Sequence, residues 1–206
     1  LDFIFNKNSS FGNYELNQNT SFLKFFDNPN DSYHCLELGD FYYRNGQYAA
    51  AIVLLERACE YNTFKDNDEL YYTIYYCGYI MSLLPKRDTY EKALWLRMIN
   101  LLPNRSEGYL MLSKYYYWRQ QYEEAFTFAK LAYYKNYYAF DADILNEIDG
   151  DIQYFKTLYF TENYLTCEEK LRLLLEESSI NERQREEIIN FLDFIEENKN
   201  NRVRIL

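Results

Sequence analysis

Two Asp-x-Asp triplets, Asp141-Ala142-Asp143 and Asp149-Gly150-Asp151, are the residues whose type and spacing most readily suggest chemistry. Closely spaced carboxylates supply the hard oxygens that Mg²⁺ or Mn²⁺ prefers. To hold such an ion on a diphosphate, a triplet needs a strand end opening onto a nucleotide pocket. Here both triplets lie between helical patterns with no strand pattern nearby, so they are expected to be loop and cap residues. His34 is the only histidine, and no Ser or Cys stands at a spacing that would pair with it as nucleophile and base. Cys35, Cys59, Cys77 and Cys167 include no Cys-x-x-Cys pair. The chain has no Gly-rich phosphate loop, no His-Glu-x-x-His and no Gly-x-Ser-x-Gly. We therefore expect no catalytic site, no metal and no other cofactor.

What remains as functional material is aromatic. Twenty per cent of the residues are Phe, Trp or Tyr, and 24 are Tyr. Tyrosine joins an apolar ring to a polar tip, so this many cannot all be core, and some must line a surface. The formal net charge of −10 disfavours phosphate backbones and anionic membranes as partners. No apolar run reaches the length of a membrane span; the best candidate, Tyr71–Leu84, is interrupted by Gly78. The cysteines sit among apolar residues of helical segments. That points to free, buried thiols in a reducing, cytoplasmic setting.

The elements that would position the rings are helices. Only 6 Gly and 3 Pro occur, too few for a fold rich in tight turns. A repeat is visible in Cys35-x-x-Leu38-Gly39-x-x-Tyr42, followed by Gly46, Tyr48, Ala51, Leu55 and Ala58. It recurs as Tyr109-x-x-Leu112-Ser113-x-x-Tyr116, followed by Tyr122, Ala125, Ala129 and Ala132. The same 74-residue offset relates Tyr42 to Tyr116, Ala51 to Ala125 and Ala58 to Ala132. One hairpin fits between them, marked by Ile74, Cys77, Gly78, Tyr90 and Ala93. A fourth, degenerate unit has Leu158, Tyr164, Cys167 and Leu171, with Asp151 where a bulky apolar residue belongs. Two antiparallel helices approach closely only where small side chains sit at the crossing, and Gly39 and Ala51 supply that gap. This spacing resembles the tetratricopeptide repeat.

The expected architecture is all-α: a tetratricopeptide-like right-handed superhelix of about four hairpins with a C-terminal capping helix. The hairpins span 32–45 with 47–62, 68–84 with 89–102, 105–118 with 121–135, and 144–161 with 164–178. The cap helix spans about 181–197, after a capping box at Ser179-x-x-Glu182. Residues 1–27 form a loosely ordered segment with a short helix capped by Thr20 or Ser21. Residues 28–197 form the repeat domain, and 198–206 a flexible tail.

A more specific likeness lies in the order of several motifs. Asn28-Pro29-Asn30-Asp31 leads into the first hairpin. Tyr71-Tyr72-x-x-Tyr75-x-x-Gly78, Pro103-Asn104-Arg105-x-Glu107 and Leu112-x-x-Tyr115-Tyr116 follow. Then come Tyr122-x-x-Ala125-x-x-Phe128-Ala129-Lys130 and Glu182-Arg183. Over residues 28–197 this resembles the helical-repeat region that follows the catalytic domain in some family 2 glycosyltransferases. Ser113, Asp151 and the lack of Pro in Asn136-Tyr137-Tyr138 depart from the pattern, and the nucleotide-sugar domain is not in this chain. The resemblance implies an association with a glycosyltransferase rather than sugar transfer by this chain.

In such hairpins the first helix of each unit lines the inner, concave face. The helical period turns Tyr43, Arg44, Tyr72, Tyr75, Tyr79, Lys114, Tyr117, Trp118 and Tyr159 to that face, where the rings either line a binding groove or are consumed by packing between repeats. Rigid amphipathic rings with a few cations suit a protein segment or a hydroxyl-rich glycan acceptor. The expected function is a protein-interaction or scaffolding module associated with a glycosyltransferase. The alternatives are an acceptor-binding subdomain of that enzyme and a free-standing peptide-binding adaptor.

Overall fold

The computed structural model describes residues 18–84, 88–138, 145–161 and 164–203. Among them are ten helices and no strand: α1 Gln18–Asp27, α2 Ser32–Arg44, α3 Tyr48–Tyr61, α4 Asn67–Ser82, α5 Asp88–Leu101, α6 Glu107–Trp118, α7 Tyr122–Lys135, α8 Glu147–Phe160, α9 Tyr164–Leu175 and α10 Glu182–Val203. The expected all-α hairpin architecture is what is found. The stretch read as one repeat region divides into two compact units, Leu1–Asn104 and Arg105–Leu206, and each is described by itself.

In the first unit, α2 pairs with α3 and α4 with α5. Asp31 starts α2 by accepting from the amides of Tyr33 and His34 at 2.9 and 3.1 Å. Gly46, at φ +72°, turns the chain from α2 into α3, a conformation a side chain would strain. At the crossing, a Cβ on Gly39 would lie 3.2 Å from Leu55 Cγ, so a larger residue there would press on the Leu55 side chain. Ala51 and Ala58 are fully buried beside it. The ends of the hairpin are tied by Ser32, whose Oγ donates to the Ala58 carbonyl at 2.8 Å.

The second hairpin solves the crossing differently. Its knob is Trp95, fully buried, and a Cβ on Gly78 would stand 2.7 Å from Trp95 Cζ3. Ala93, expected to be the small crossing residue, is exposed. Trp95 stands against Gly78 as Leu55 stands against Gly39 in the first hairpin.

Within the second unit, α6 packs on α7, α7 on α8, and α10 closes over α8 and α9. Ala125, Ala129 and Ala132 are fully buried along α7. Ser113 stands where Gly39 stands in the first hairpin, and its hydroxyl has work to do. It donates to the Ala125 carbonyl at 2.7 Å and accepts from Gln153 Nε2 at 3.0 Å. Ile148, Ile152, Phe155, Cys167 and Leu171 form a core with Ile188, Phe191, Leu192 and Ile195 of α10. Ile189, on the same helix, is exposed.

Several local expectations are corrected. Helix α10 is capped by Asn181 and Gln184 rather than by Ser179 and Glu182. The Gln184 amide donates to Asn181 Oδ1 at 2.9 Å, and the Asn181 amide to Gln184 Oε1 at 3.2 Å. Helix α1 begins at Gln18, so Thr20 and Ser21 lie inside it, and Ser21 donates to Glu37 instead of capping. The triplet Asp149-Gly150-Asp151 lies in the first turns of α8 instead of a loop. Asp149 forms a capping box there with Asn146, so half of the loop-and-cap expectation holds. Asp141 and Asp143 lie outside the described residues. Helix α10 also runs to Val203, into the segment expected to be a tail.

Candidate functional site

In the first unit, Tyr43 is the centre of an aromatic group drawn from α2, α3 and α4. Its ring lies 5.4 Å from Tyr76, 5.8 Å from Tyr48 and 6.5 Å from Tyr79, centroid to centroid. Burial, then the neighbouring Tyr79 phenol, pushes the Tyr43 hydroxyl up from its ordinary pKa. Tyr79 is 37% exposed and stacks on Tyr75 at 6.4 Å. Tyr72 is half-buried.

Arg44 reaches this face but is already engaged. Its Nε donates to Asp40 Oδ2 at 2.7 Å. Asp40 is 1% exposed, and its other oxygen accepts from the Tyr76 hydroxyl at 2.7 Å. Burial, then Asp40, raises the Tyr76 pKa far out of reach, so that hydroxyl stays a donor. This Arg44–Asp40–Tyr76 chain locks α2 to α4. Sequence reasoning missed Tyr76, whose register position had no functional signal.

Two expected binding residues are not on an open face. Tyr75 is 5% exposed, packed against Trp95 at 6.1 Å. Tyr159 is 7% exposed, edge-on to Phe191 and Phe194 of α10. Burial among rings makes both packing residues: Tyr75 packs within the second hairpin, and the cap helix covers Tyr159.

The second unit holds a cavity of about 490 Å³. Helix α6 contributes Lys114, Tyr117 and Trp118, α8 contributes Gln153 and Lys156, and α10 supplies the remaining wall. Trp118 is 77% exposed, with its ring edge-to-face with Tyr117 at 6.0 Å. Three of the expected site residues, Lys114, Tyr117 and Trp118, are thus brought together.

The polar wall from α10 was missed. Arg183, Glu186, Glu187 and Asn190 follow one another at helical spacing and line the cavity. Their i, i+3, i+4, i+7 spacing was the signal available in the sequence. The Lys156 ammonium donates to Glu187 at 2.8 Å and lies 5.0 Å from the Tyr117 ring centroid. Arg183 pairs with Asp149 at 2.8 Å. Although burial acts to raise it, the Glu187 pKa is held below the ordinary value by Lys114, Lys156 and Arg183.

The cysteines offer no reactive centre. All four are free and buried. Burial pushes Cys59 and Cys167 up to about 12, far from thiolate formation. Among the described residues no group of three or more His, Cys, Asp or Glu is placed to hold a metal ion. No helix among them is long and apolar enough to cross a membrane.

No family model matches the chain, and no curated protein matches it. Among solved structures it is similar to the crystal structure of MamA, a protein that contains tetratricopeptide repeats. The TM-score is 0.52 at 13% sequence identity, covering 91% of this chain and 89% of that one. A likeness at this identity concerns the fold, and with the hairpin crossings above it leads to one conclusion: the chain is an all-α protein of tetratricopeptide-like helical hairpins.

Proposed function

We propose that this chain is a protein-interaction and scaffolding module that captures a partner on the first-helix faces of its hairpins, and that the partner is the catalytic domain of a glycosyltransferase. The observation that carries the interaction reading is the exposure of Tyr79 and Trp118 on first helices, beside Tyr43 and Lys114. Rings kept at the surface at such positions are the usual anchors of a partner. The glycosyltransferase part rests on the ordered motifs of residues 28–197. The four buried, free thiols favour a reducing, cytoplasmic setting.

A second reading, in which the chain is an acceptor-binding subdomain of the glycosyltransferase, is favoured by the polar, ring-walled cavity of the second unit. The test is direct capture. The immobilised chain is exposed to a family 2 glycosyltransferase catalytic domain from the same source. Capture that weakens on Tyr79→Ala supports the module. Capture of short peptides without the catalytic domain supports a free-standing adaptor instead.

A further inference from the structure

The cavity of the second unit has a composition that selects its guest by chemistry. Trp118 offers a broad indole surface to solvent at its lip. Leaving so large an apolar ring in water is unfavourable, and a flat apolar guest would relieve it. The charges behind the ring are largely spent on one another, Lys156 with Glu187 and Arg183 with Asp149. An anionic guest would therefore meet the carboxylates of Glu186 and Glu187. A purely apolar guest would strip water from Lys114, Glu186 and Asn190 without replacing its hydrogen bonds, which is costly.

The groups still able to bond a guest are of both kinds. The Lys114 ammonium, the half-exposed Arg183 guanidinium and the Asn190 amide donate; Glu186 and the Asn190 carbonyl accept. A hydroxyl group donates and accepts at once, so a row of hydroxyls satisfies such a wall where a carboxylate or phosphate cannot. A molecule with hydroxyls around its rim and a flat face of C–H bonds is a pyranose ring. The volume of about 490 Å³ lies within the ordinary range of ligand pockets.

The geometry points to a saccharide-binding site: a neutral pyranose lies with its C–H face on Trp118, its hydroxyls bonded to Lys114, Glu186 and Asn190. The site deepens the acceptor-binding reading of the same cavity and rests on it; it shares Trp118 and Lys114 with the partner-capture face, which Tyr79→Ala tests separately.

The full chain is screened on an array of diverse neutral oligosaccharides, and hits are followed by fluorescence. Trp118 is the exposed tryptophan and Trp95 is fully buried, so shielding of indole emission from acrylamide reports the site directly. Saturable binding that protects the indole, does not change with added salt, and weakens at least about tenfold in Trp118→Ala supports the site. Trp118→Phe should retain part of the affinity, and Glu186→Gln should weaken it at unchanged melting temperature. Array binding equal in wild type and Trp118→Ala, or no binding to any saccharide, overturns it. Salt-sensitive binding of an acidic peptide at Trp118 in place of saccharides also overturns it, while leaving partner capture standing.

Discussion

The backbone of Gly78 lies against the indole of Trp95, so closely that a methyl group on Gly78 would stand 2.7 Å from Trp95 Cζ3. Trp95 is fully buried and has no room to retreat. Gly78→Ala is therefore expected to destabilise the first unit by about 1–3 kcal/mol through overpacking. Ala51→Leu and Ala125→Leu, at the fully buried crossings of the first and third hairpins, are expected to cost a similar roughly 1–3 kcal/mol. Denaturant melts of the single variants check this; wild-type stability in all three would mean that the crossing register is wrong.

Asp151 gives a pH dependence of definite sign. Burial, then Glu177 and Glu147, raises its carboxyl from 3.8 to about 6. Between those values the folded chain holds a proton that the unfolded chain has released, so stability falls as pH rises. Above about pH 6 the buried charge is a standing cost. Asp151→Asn is expected to stabilise at neutral pH by about 1–2 kcal/mol, the shift being discounted for partial exposure. The gain should vanish near pH 4, below which both states are protonated. Paired melts of variant and wild type across this range test it, and a gain independent of pH would contradict it.

The thiols should be inert. With Cys59 and Cys167 raised to about 12 by burial, the native chain is expected to resist iodoacetamide at pH 8 and to react fully once unfolded. Mass spectrometry of native and denatured samples distinguishes the two. Rapid native labelling of Cys59 or Cys167 would show that its helix opens easily.

The hairpins could be read from the sequence because their crossings impose small residues at fixed spacing. Gly39 with Ala51, and Ser113 with Ala125, are local signatures of a tertiary contact. Ala93 misled because only packing shows that Trp95, two residues on, fills the Gly78 gap. Tyr75 and Tyr159 misled for another reason. Helical period gives the face on which a ring stands, but a neighbouring ring or the cap helix decides whether that face is open. The cavity's α10 wall was visible as a pattern, Arg183 through Asn190, with nothing in the sequence to say that it faces Lys114 and Trp118.

The central claim is that the first-helix faces carry the binding. Its most direct measurement is the affinity of the immobilised chain for the glycosyltransferase catalytic domain, across surface variants with unchanged melting temperature. Tyr79→Ala and Trp118→Ala are expected to weaken capture at least about tenfold, as truncation of a central ring does at a true anchor. Val53→Ala and Leu131→Ala, at exposed positions on the second helices α3 and α7, are expected to leave it unchanged. If the second-helix substitutions abolish capture while Tyr79→Ala and Trp118→Ala leave it intact, the first-helix faces are not the binding surface.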